Sequence, residues 1–381
     1  MSRSFAPLRP PGFRPARVIR PRIEPGRRVL AVSDVHGNLP FLKGALDRVR
    51  FTPDDVLVIV GDLLEKGRDS LATLRYVMEL RKTHTVYPLC GNCDYIDQSF
   101  LSGPGLDRAL WPVLSQFWTD RSVLLQMGAE LGLAPRRLED LPALRAALLE
   151  RLPEETGFLL DLPHILEAGS FLFVHGGVPR EDRLEELDAY DCMKNDDFRG
   201  QGHSFRKWVV VGHWPVTLYD GRIQRSAPLI DKDRRIASID GGCVLKLDGQ
   251  LNVLIIPDIG GDRLEYTWYD GLPAVTALDH QEASPDPLNI RWSDSQVEVL
   301  REEGDRALIR HPTSGRELWV PRDFVGVRRD GKIHTEDATD YALPVSPGDR
   351  LALVRETGRG RLVKKDGITG WYYGRIKYDQ E

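Results

Sequence analysis

Cysteine is scarce in this chain. Four residues in 381, at Cys90, Cys93, Cys192 and Cys243, are too few and too scattered to staple a scaffold. Long hydrophobic runs are missing as well. No stretch approaches the roughly 20 apolar residues that span a bilayer, so an integral membrane helix is excluded. There is no basic excess: 52 Lys and Arg against 57 Asp and Glu give a net charge of −5. Bulk attraction to nucleic acid or to an anionic membrane is therefore not expected. What is present is an ordinary globular balance, 41% hydrophobic and 29% charged, in a chain long enough for two or three domains. A reducing, aqueous compartment, the cytoplasm, is expected.

The first 27 residues differ from the rest. Met1 to Leu30 holds eight Arg, one Glu and six Pro. Prolines 7, 10, 11, 15, 21 and 25 prevent a stable helix, and no apolar core of a secretory signal follows the basic start. Residues 1–27 read as a flexible or surface-hugging arm. An anion-binding tail is the sharper alternative, since arginines without acids attract phosphate.

From residue 28 a pattern repeats. Short β-branched runs end in polar residues: RVLAVS before Asp34 and His36, VLVIV before Asp62, TVYPLC before Asn92, FLFV before His175, and WVVV before His213. Continuous apolar runs of this length suit strands buried on both faces. Helical spacing separates the first three runs, through Phe41, Leu42, Ala45, Leu46 and Val49, then Leu71, Leu74, Val77 and Met78. Strand–helix alternation predicts parallel crossovers and a layered α/β core. In such sheets ligands gather beyond the C-terminal strand ends. Asp34, His36, Asp62, Asn92, His175 and His213 should therefore meet in one cleft. Oxygen and imidazole donors together suit manganese, iron or zinc. Asp62 is placed to bridge two such ions.

These residues resemble the calcineurin-like metallophosphoesterases, and within them the phosphoprotein phosphatase superfamily. Asp34-Val35-His36-Gly37-Asn38 matches the opening D-x-H-G-N block. Gly61-Asp62-Leu63-Leu64-Glu65-Lys66-Gly67 is similar to GDxVDRG, and Gly91-Asn92-Cys93-Asp94 stands where GNHE or GNHD is expected. His175-Gly176-Gly177 and Gly212-His213-Trp214 match the later blocks, and Ser238–Cys243 resembles the closing IDTGC stretch. The GHW form resembles bacterial members that hydrolyse dinucleoside polyphosphates. The resemblance implies one metal site of Asp34, His36 and Asp62, and a second of Asp62, Asn92, His175 and His213. Two divalent transition metal ions are expected, manganese first, with iron or zinc as alternatives.

The resemblance also implies a reaction. A metal-bound hydroxide would attack phosphorus in line, and an acid would protonate the leaving oxygen. The family's His is Cys93 here, so Asp94 or Cys93 is the expected acid. A small packing role for Cys93 is the other reading. The phosphate-gripping Arg of GDxVDRG is Lys66, with Arg68 two residues on. A second family Arg falls on Asn195, beside Lys194. Lys66, Arg68, Asn92 and Lys194 are therefore the expected phosphate contacts. Lysine supplies charge without the bidentate fork of arginine.

Leu/Ala/Arg-rich periodicity between residues 95 and 157 predicts a helical insertion beside the cleft. Residues 28–278 form the expected catalytic domain. Asp279–Asn289 reads as a linker. Residues 290–381 show short alternating runs with Gly and Asp turns, which predict small all-β barrels. Leu343-Pro344-Val345, Gly348–Leu351 and Gly370-Trp371-Tyr372-Tyr373-Gly374 resemble an SH3 domain, with Glu317–Pro321 marking a divergent first copy. The expected fold is thus an α/β metallophosphoesterase sandwich with a helical insertion, followed by SH3-like β domains. The expected function is phosphoester hydrolysis resembling that of serine/threonine protein phosphatases. Dinucleoside polyphosphate or nucleotide phosphodiester hydrolysis is the alternative, and a non-catalytic scaffold the third reading. The partners expected are a phosphorylated protein or nucleotide substrate, and a proline-rich peptide on the SH3-like part.

Overall fold

A computed structural model describes residues 8–10, 12–328, 330–358 and 360–379. The first seven residues of the Pro/Arg-rich arm, and Pro11, lie outside the described residues. Two sheets stack face to face. The first has the order Glu265–Tyr269, Leu251–Ile256, Val29–Val32, Val56–Ile59, Thr85–Pro88, and its last three strands are parallel. The second runs Val18–Ile19, Ile165–Ala168, Phe171–Val174, Trp208–Val211, Ile236–Ser238, Leu229–Asp231.

The unbroken apolar runs follow from this stacking. Side chains alternate along a strand. Val29, Ala31, Val56 and Val58 face Phe171, Phe173 and Val210 between the sheets. Leu30, Val32, Leu57 and Ile59 point the other way, under the helices. Leu172, Val174, Val209 and Val211 form a third core on the far side of the second sheet. Every residue of four strands (Val29–Val32, Val56–Ile59, Phe171–Val174 and Trp208–Val211) is buried. Helices Leu39–Arg48 and Ser70–Leu80 are the two crossovers expected from the periodicity.

The helical insertion is present as Asn92–Ser102, Asp107–Gln116, Val123–Glu130, Leu141–Arg151 and Pro153–Asp161. It is not a cap. Phe100, Leu110, Leu124 and Leu148 join the same core as Leu30 and Leu57, so these helices cover the outer face of the first sheet.

The described part of the arm hugs the surface. Val18–Ile19 adds a parallel edge strand to Ile165–Leu166. The arm's arginines meet carboxylates of the chain itself: Arg9 reaches Asp188 and Asp191, and Arg20 reaches Glu167 and Glu185. Those pairings satisfy the charges that an anion-binding tail would offer.

The C-terminal third is antiparallel. Glu298–Glu303, Arg306–His311 and Arg316–Pro321 form one meander with its own core. A six-stranded sheet follows, in the order Ile376–Tyr378, Ala274–Ala277, Arg350–Glu356, Arg361–Lys365, Ile368–Tyr372, Gln224–Arg225. This sheet crosses the expected boundary twice. Ala274–Ala277 lies before residue 278, and Gln224–Arg225 lies deep in the expected catalytic domain. The linker 279–289 is not free either. Asp279 pairs with Arg375 at 2.7 Å, and the Gln281 amide donates to the carbonyls of Leu343 and Trp371, each at 2.7 Å. Buried backbone groups need such partners, and a polar segment supplies them as readily as a strand does. No helix among the described residues is long and apolar enough to cross a membrane.

Candidate dinuclear metal site

The five strand ends converge as expected. Asp34, His36, Asp62 and His175 are all buried, and His213 borders the cleft. His36 Nε2 lies 3.8 Å from Asp34 Oδ1 and 3.7 Å from Asp62 Oδ2. His175 Nε2 lies 3.4 Å from Asp62 Oδ1. The His213 backbone N–H donates to Asp34 Oδ2 at 3.0 Å, and the rings of His175 and His213 are 5.3 Å apart.

Tight backbone geometry brings them together. Asp34, His36, Asp62 and His213 all sit in the left-handed region, with φ of 55°, 50°, 49° and 65°. Such residues cost roughly 1–3 kcal/mol each and cluster at functional sites. Glycine makes room for the carboxylates. A Cβ on Gly91 would meet Asp62 Oδ1 at 2.2 Å, and one on Gly212 would meet Asp34 Oδ2 at 2.4 Å.

The imidazoles are set by their second nitrogens. His175 Nδ1 donates to the Val60 carbonyl at 2.9 Å, which turns Nε2 toward Asp62. His36 Nδ1 faces the Leu64 carbonyl at 3.4 Å. Burial, then the Lys66 charge, lowers the His36 pKa to about 3. Burial likewise lowers that of His213 to about 4. For His175 burial acts downward, but the charges of Asp62 and Asp34 outweigh it and raise the pKa to about 9. Asp62 is held well below the usual carboxylate range: burial opposes this, and His175 overcomes it.

The donor set fits metal ions. The Oδ1 of Asn92 is buried with no hydrogen-bond partner, an expensive state unless something else is bound there. A cation already stands at the cluster: Lys66 Nζ is 3.2 Å from His36 Nε2 and 3.8 Å from Asp62 Oδ2. Two triads bring their donor atoms within 4.8 Å of one another, Asp34–Asp62–His175 and His36–Asp62–Cys93. Asp62 belongs to both, as expected of a bridge. The second triad was not expected, because it places the Cys93 thiol in ligand range.

The remaining expected site residues divide. Lys66 and Lys194 line the cleft. Arg68 is exposed and lies off it, on the outward turn before helix Ser70–Leu80. Burial, then the Asp62 charge, raises the pKa of Asp94 to about 6, and its carboxyl is engaged by the backbone. Its buried carboxylate accepts backbone N–H bonds from Leu63, Leu64 and Gly91 at 3.2, 3.1 and 2.9 Å. It ties the loop after Val56–Ile59 to the loop after Thr85–Pro88. Cys93 is buried, and its sulfur accepts from the Asn92 amide at 3.4 Å. Burial keeps that thiol well above its usual pKa.

Sequence reasoning missed Asp196. Its Oδ1 accepts from His213 Nε2 at 2.7 Å and also pairs with Lys194. The same Nε2 faces Lys194 Nζ at 3.1 Å, so an acid and a base together hold that edge of the ring. The signal was the pair of acids directly after Lys194 and Asn195. Sequence reasoning also missed the buried carboxyls of Glu65 and Asp97, both raised by burial, beneath the Lys66 turn.

Comparison with known proteins places this geometry. The family model for calcineurin-like phosphoesterases matches residues 27–239. The chain belongs to that family, which bears out the expectation of a phosphatase-type hydrolase. A symmetrical bis(5'-nucleosyl)-tetraphosphatase of Pseudomonas putida strain W619 is 46% identical over 65 residues, 17% of this chain. That match spans only 22% of the relative's length. The corresponding protein of Pseudomonas fluorescens strain SBW25 is 52% identical over 52 residues, 13% of this chain and 18% of its own. Among solved structures, that of a presumed diadenosine tetraphosphatase covers 67% of this chain and all of its own, at 20% identity and a TM-score of 0.43. A protein serine/threonine phosphatase from Saccharomyces cerevisiae covers 68% of this chain and 85% of its own, at 12% identity and a TM-score of 0.39.

Proposed function

We propose that the protein hydrolyses phosphoesters at a two-metal centre formed by Asp34, His36, Asp62, Asn92, His175 and His213. The convergence of these donors, with Asn92 Oδ1 buried and unpartnered, carries the reading. Two divalent ions, when bound, would supply the Lewis acidity that activates water and offsets charge on the phosphoryl group. The chain's own residues do the rest. Lys66 and Lys194 attract and orient the phosphate as point charges. Asp196 fixes the His213 ring, and the Val60 carbonyl fixes that of His175. Asp94 keeps the Leu63–Leu64 and Gly91 backbones in register. With Asp94 engaged, Cys93, Lys66 and Lys194 are the proton-bearing groups around the leaving oxygen.

Asn195, at the position of the second family Arg, accepts a hydrogen bond from Gln201 at 2.6 Å and adds no charge. This weakens the phosphoprotein reading that the resemblance suggests. The local likeness to tetraphosphatases, together with Gly212-His213-Trp214, supports dinucleoside polyphosphate hydrolysis as the second reading. We read the two C-terminal β modules as SH3-like barrels that brace the cleft.

The test uses purified full-length chain with manganese. It should bind about two ions and hydrolyse p-nitrophenyl phosphate, and chelation should abolish both. Undiminished hydrolysis after complete removal of metal would overturn the reading. A phosphopeptide and diadenosine tetraphosphate, run side by side, rank the two substrate classes.

A further inference from the structure

Of the six donors, His213 lines a cleft of about 840 Å³, together with Lys66 and Lys194, which contact the donor cluster. The other end of that cleft is not built by the phosphoesterase domain alone. Lys66, Lys194 and His213 line the near end, whereas Trp292, Phe324 and Arg355 of the C-terminal region line the far end. Between them the loop after Asp240 contributes Leu245 and Leu247. We propose that this far end is a subsite for the alcohol portion of the substrate, and that it takes a flat aromatic ring. The inference rests on the phosphoester reading and names its substrate class: a small phosphoester whose alcohol carries an aromatic ring.

Four observations support it. The first is exposure. Trp292 is 44% exposed, Leu245 43% and Leu247 57%, an unusual concentration of open apolar surface beside a charged site. The second is rigidity. Trp292 follows a strand that is clamped to the loop after His213. Asn289 Nδ2 donates to the carbonyls of Asp220 at 2.7 Å and Thr217 at 3.2 Å, and Arg291 Nη1 donates to Leu218 at 2.9 Å. The backbone that carries Trp292 is therefore anchored to the segment that follows His213.

The third is strain. Val244, β-branched, has φ of 66° in the loop that presents Leu245 and Leu247. That loop is fastened at both ends. Cys243 is bonded to Asn38 of the first metal block at 3.6 Å. Lys246 pairs with Asp337 at 2.5 Å, and Asp248 accepts from Thr369 at 2.5 Å. The chain spends structure on holding apolar side chains open to water, which favours a ligand there.

The fourth is charge and size. At the far end the cations are largely met by acids: Arg355 pairs with Asp323 at 2.8 Å, and Lys246 with Asp337. At the phosphate end stand Lys66 and Lys194, beside Asp62 and Asp196. A ligand suited to both ends is anionic at one and flat and apolar at the other. A volume of 840 Å³ lies in the range of small-molecule sites rather than that of a folded phosphoprotein surface.

Adenosine 5'-monophosphate and ribose 5-phosphate separate the ring from the phosphate. Both present a primary alkyl phosphate, and only one carries a base. Binding is measured by calorimetry on manganese-loaded full-length protein, and the ratio of the two affinities is the readout. Adenosine monophosphate is expected to bind at least about tenfold tighter. Trp292→Ala should shrink that ratio to less than about threefold, and Trp292→Phe should restore most of it. Leu247→Ser, at an exposed position, should shrink it as well, and it tests the subsite even if the Trp292 variant does not fold. Equal affinities in the wild type, or an unchanged ratio in Leu247→Ser, would overturn the subsite. So would a phosphoserine peptide that binds tighter than adenosine monophosphate. The same preparation is assayed on p-nitrophenyl phosphate. Failure there strikes the phosphoester reading, whereas a flat affinity ratio with good turnover strikes only the subsite.

Discussion

The two ends of the cleft are built by opposite means. At the near end, charged donors are buried, their backbones are strained, and glycines remove every atom that would crowd them. At the far end, apolar side chains stand half open on loops that borrow rigidity from a separate sheet. Buried charge is intolerant of change, because a removed partner leaves an uncompensated ion. Apolar surface is graded, since its worth follows the area covered. Substitutions at the near end should therefore act as switches and those at the far end as dials.

The largest effect is expected at Asp62, which is shared by both donor triads. Asp62→Asn should lower turnover at least about 1,000-fold and reduce bound metal. Elemental analysis together with hydrolysis of p-nitrophenyl phosphate checks it. Gly91→Ala comes next. The added methyl would strike Asp62 backbone nitrogen at 2.1 Å and must move the carboxylate. A displacement of this kind costs about 100-fold in rate, readable as a fall in kcat with the chain still folded by circular dichroism. If either variant kept full activity, the near end would not be the switch described here.

Removal of residues 286–381 probes the junction between the ends. A free linker at Asp279–Asn289 would tolerate such a cut. The structure argues otherwise. The buried Asp248 carboxylate would lose Thr369, and the strand Ala274–Ala277 would lose both its neighbours. Asp248 keeps its bond from Gln224, so the larger loss is the strand pairing of Ala274–Ala277. The melting temperature of the truncated chain should fall by at least about 5 °C, measured by calorimetry.

A smaller effect is expected at Asp55, far from the cleft, where Arg28 donates to the two carboxylate oxygens at 2.8 and 2.7 Å. Burial opposes ionisation of Asp55, but the bonds from Arg28 and Thr52 prevail and hold its pKa below the usual value. A depressed carboxylate stabilises the fold above its unfolded pKa of about 3.9. That contribution is lost as the pH falls through the folded value. Asp55→Asn should cost about 1 kcal/mol at pH 7, and the difference from wild type should shrink below about pH 4 in urea melts. The smallest effect belongs to Cys93→Ser. Serine keeps the small volume and the bond from Asn92, so turnover should stay within about threefold. A much larger loss would give the Cys93 thiol a direct part, as the acid or as a ligand.

The near end was legible in the sequence because its chemistry is local. Each donor follows directly on a buried strand, so Asp34, Asp62, Asn92, His175 and His213 could be read from five short runs. Roles that depend on orientation were not legible. Asp94 follows Asn92 by two residues, yet its carboxylate turns back to three backbone amides. Arg68 has the right charge and points away, because the turn before Ser70–Leu80 carries it outward. The far end was illegible for a different reason. Trp292, Leu247 and Arg355 lie on three segments far apart in sequence, and no periodicity links them. The boundary at 278 failed for the same reason: Ala274–Ala277 has strand character, but nothing local says which sheet it joins.

The pairing of Ile368–Thr369 with Gln224–Arg225 sets a timetable for biosynthesis. Thr369 leaves the ribosome 121 residues after Asp248, the acid it caps. At about 5–20 residues per second, that is a delay of about 6–24 seconds. During this interval the metal donors are already translated, while Asp248 and the edge at Gln224 wait for partners. A nascent chain would thus hold a nearly complete catalytic core whose cleft has only one wall. Strands made last then close that cleft, so competence on ringed substrates should arrive later in synthesis than the capacity to bind metal.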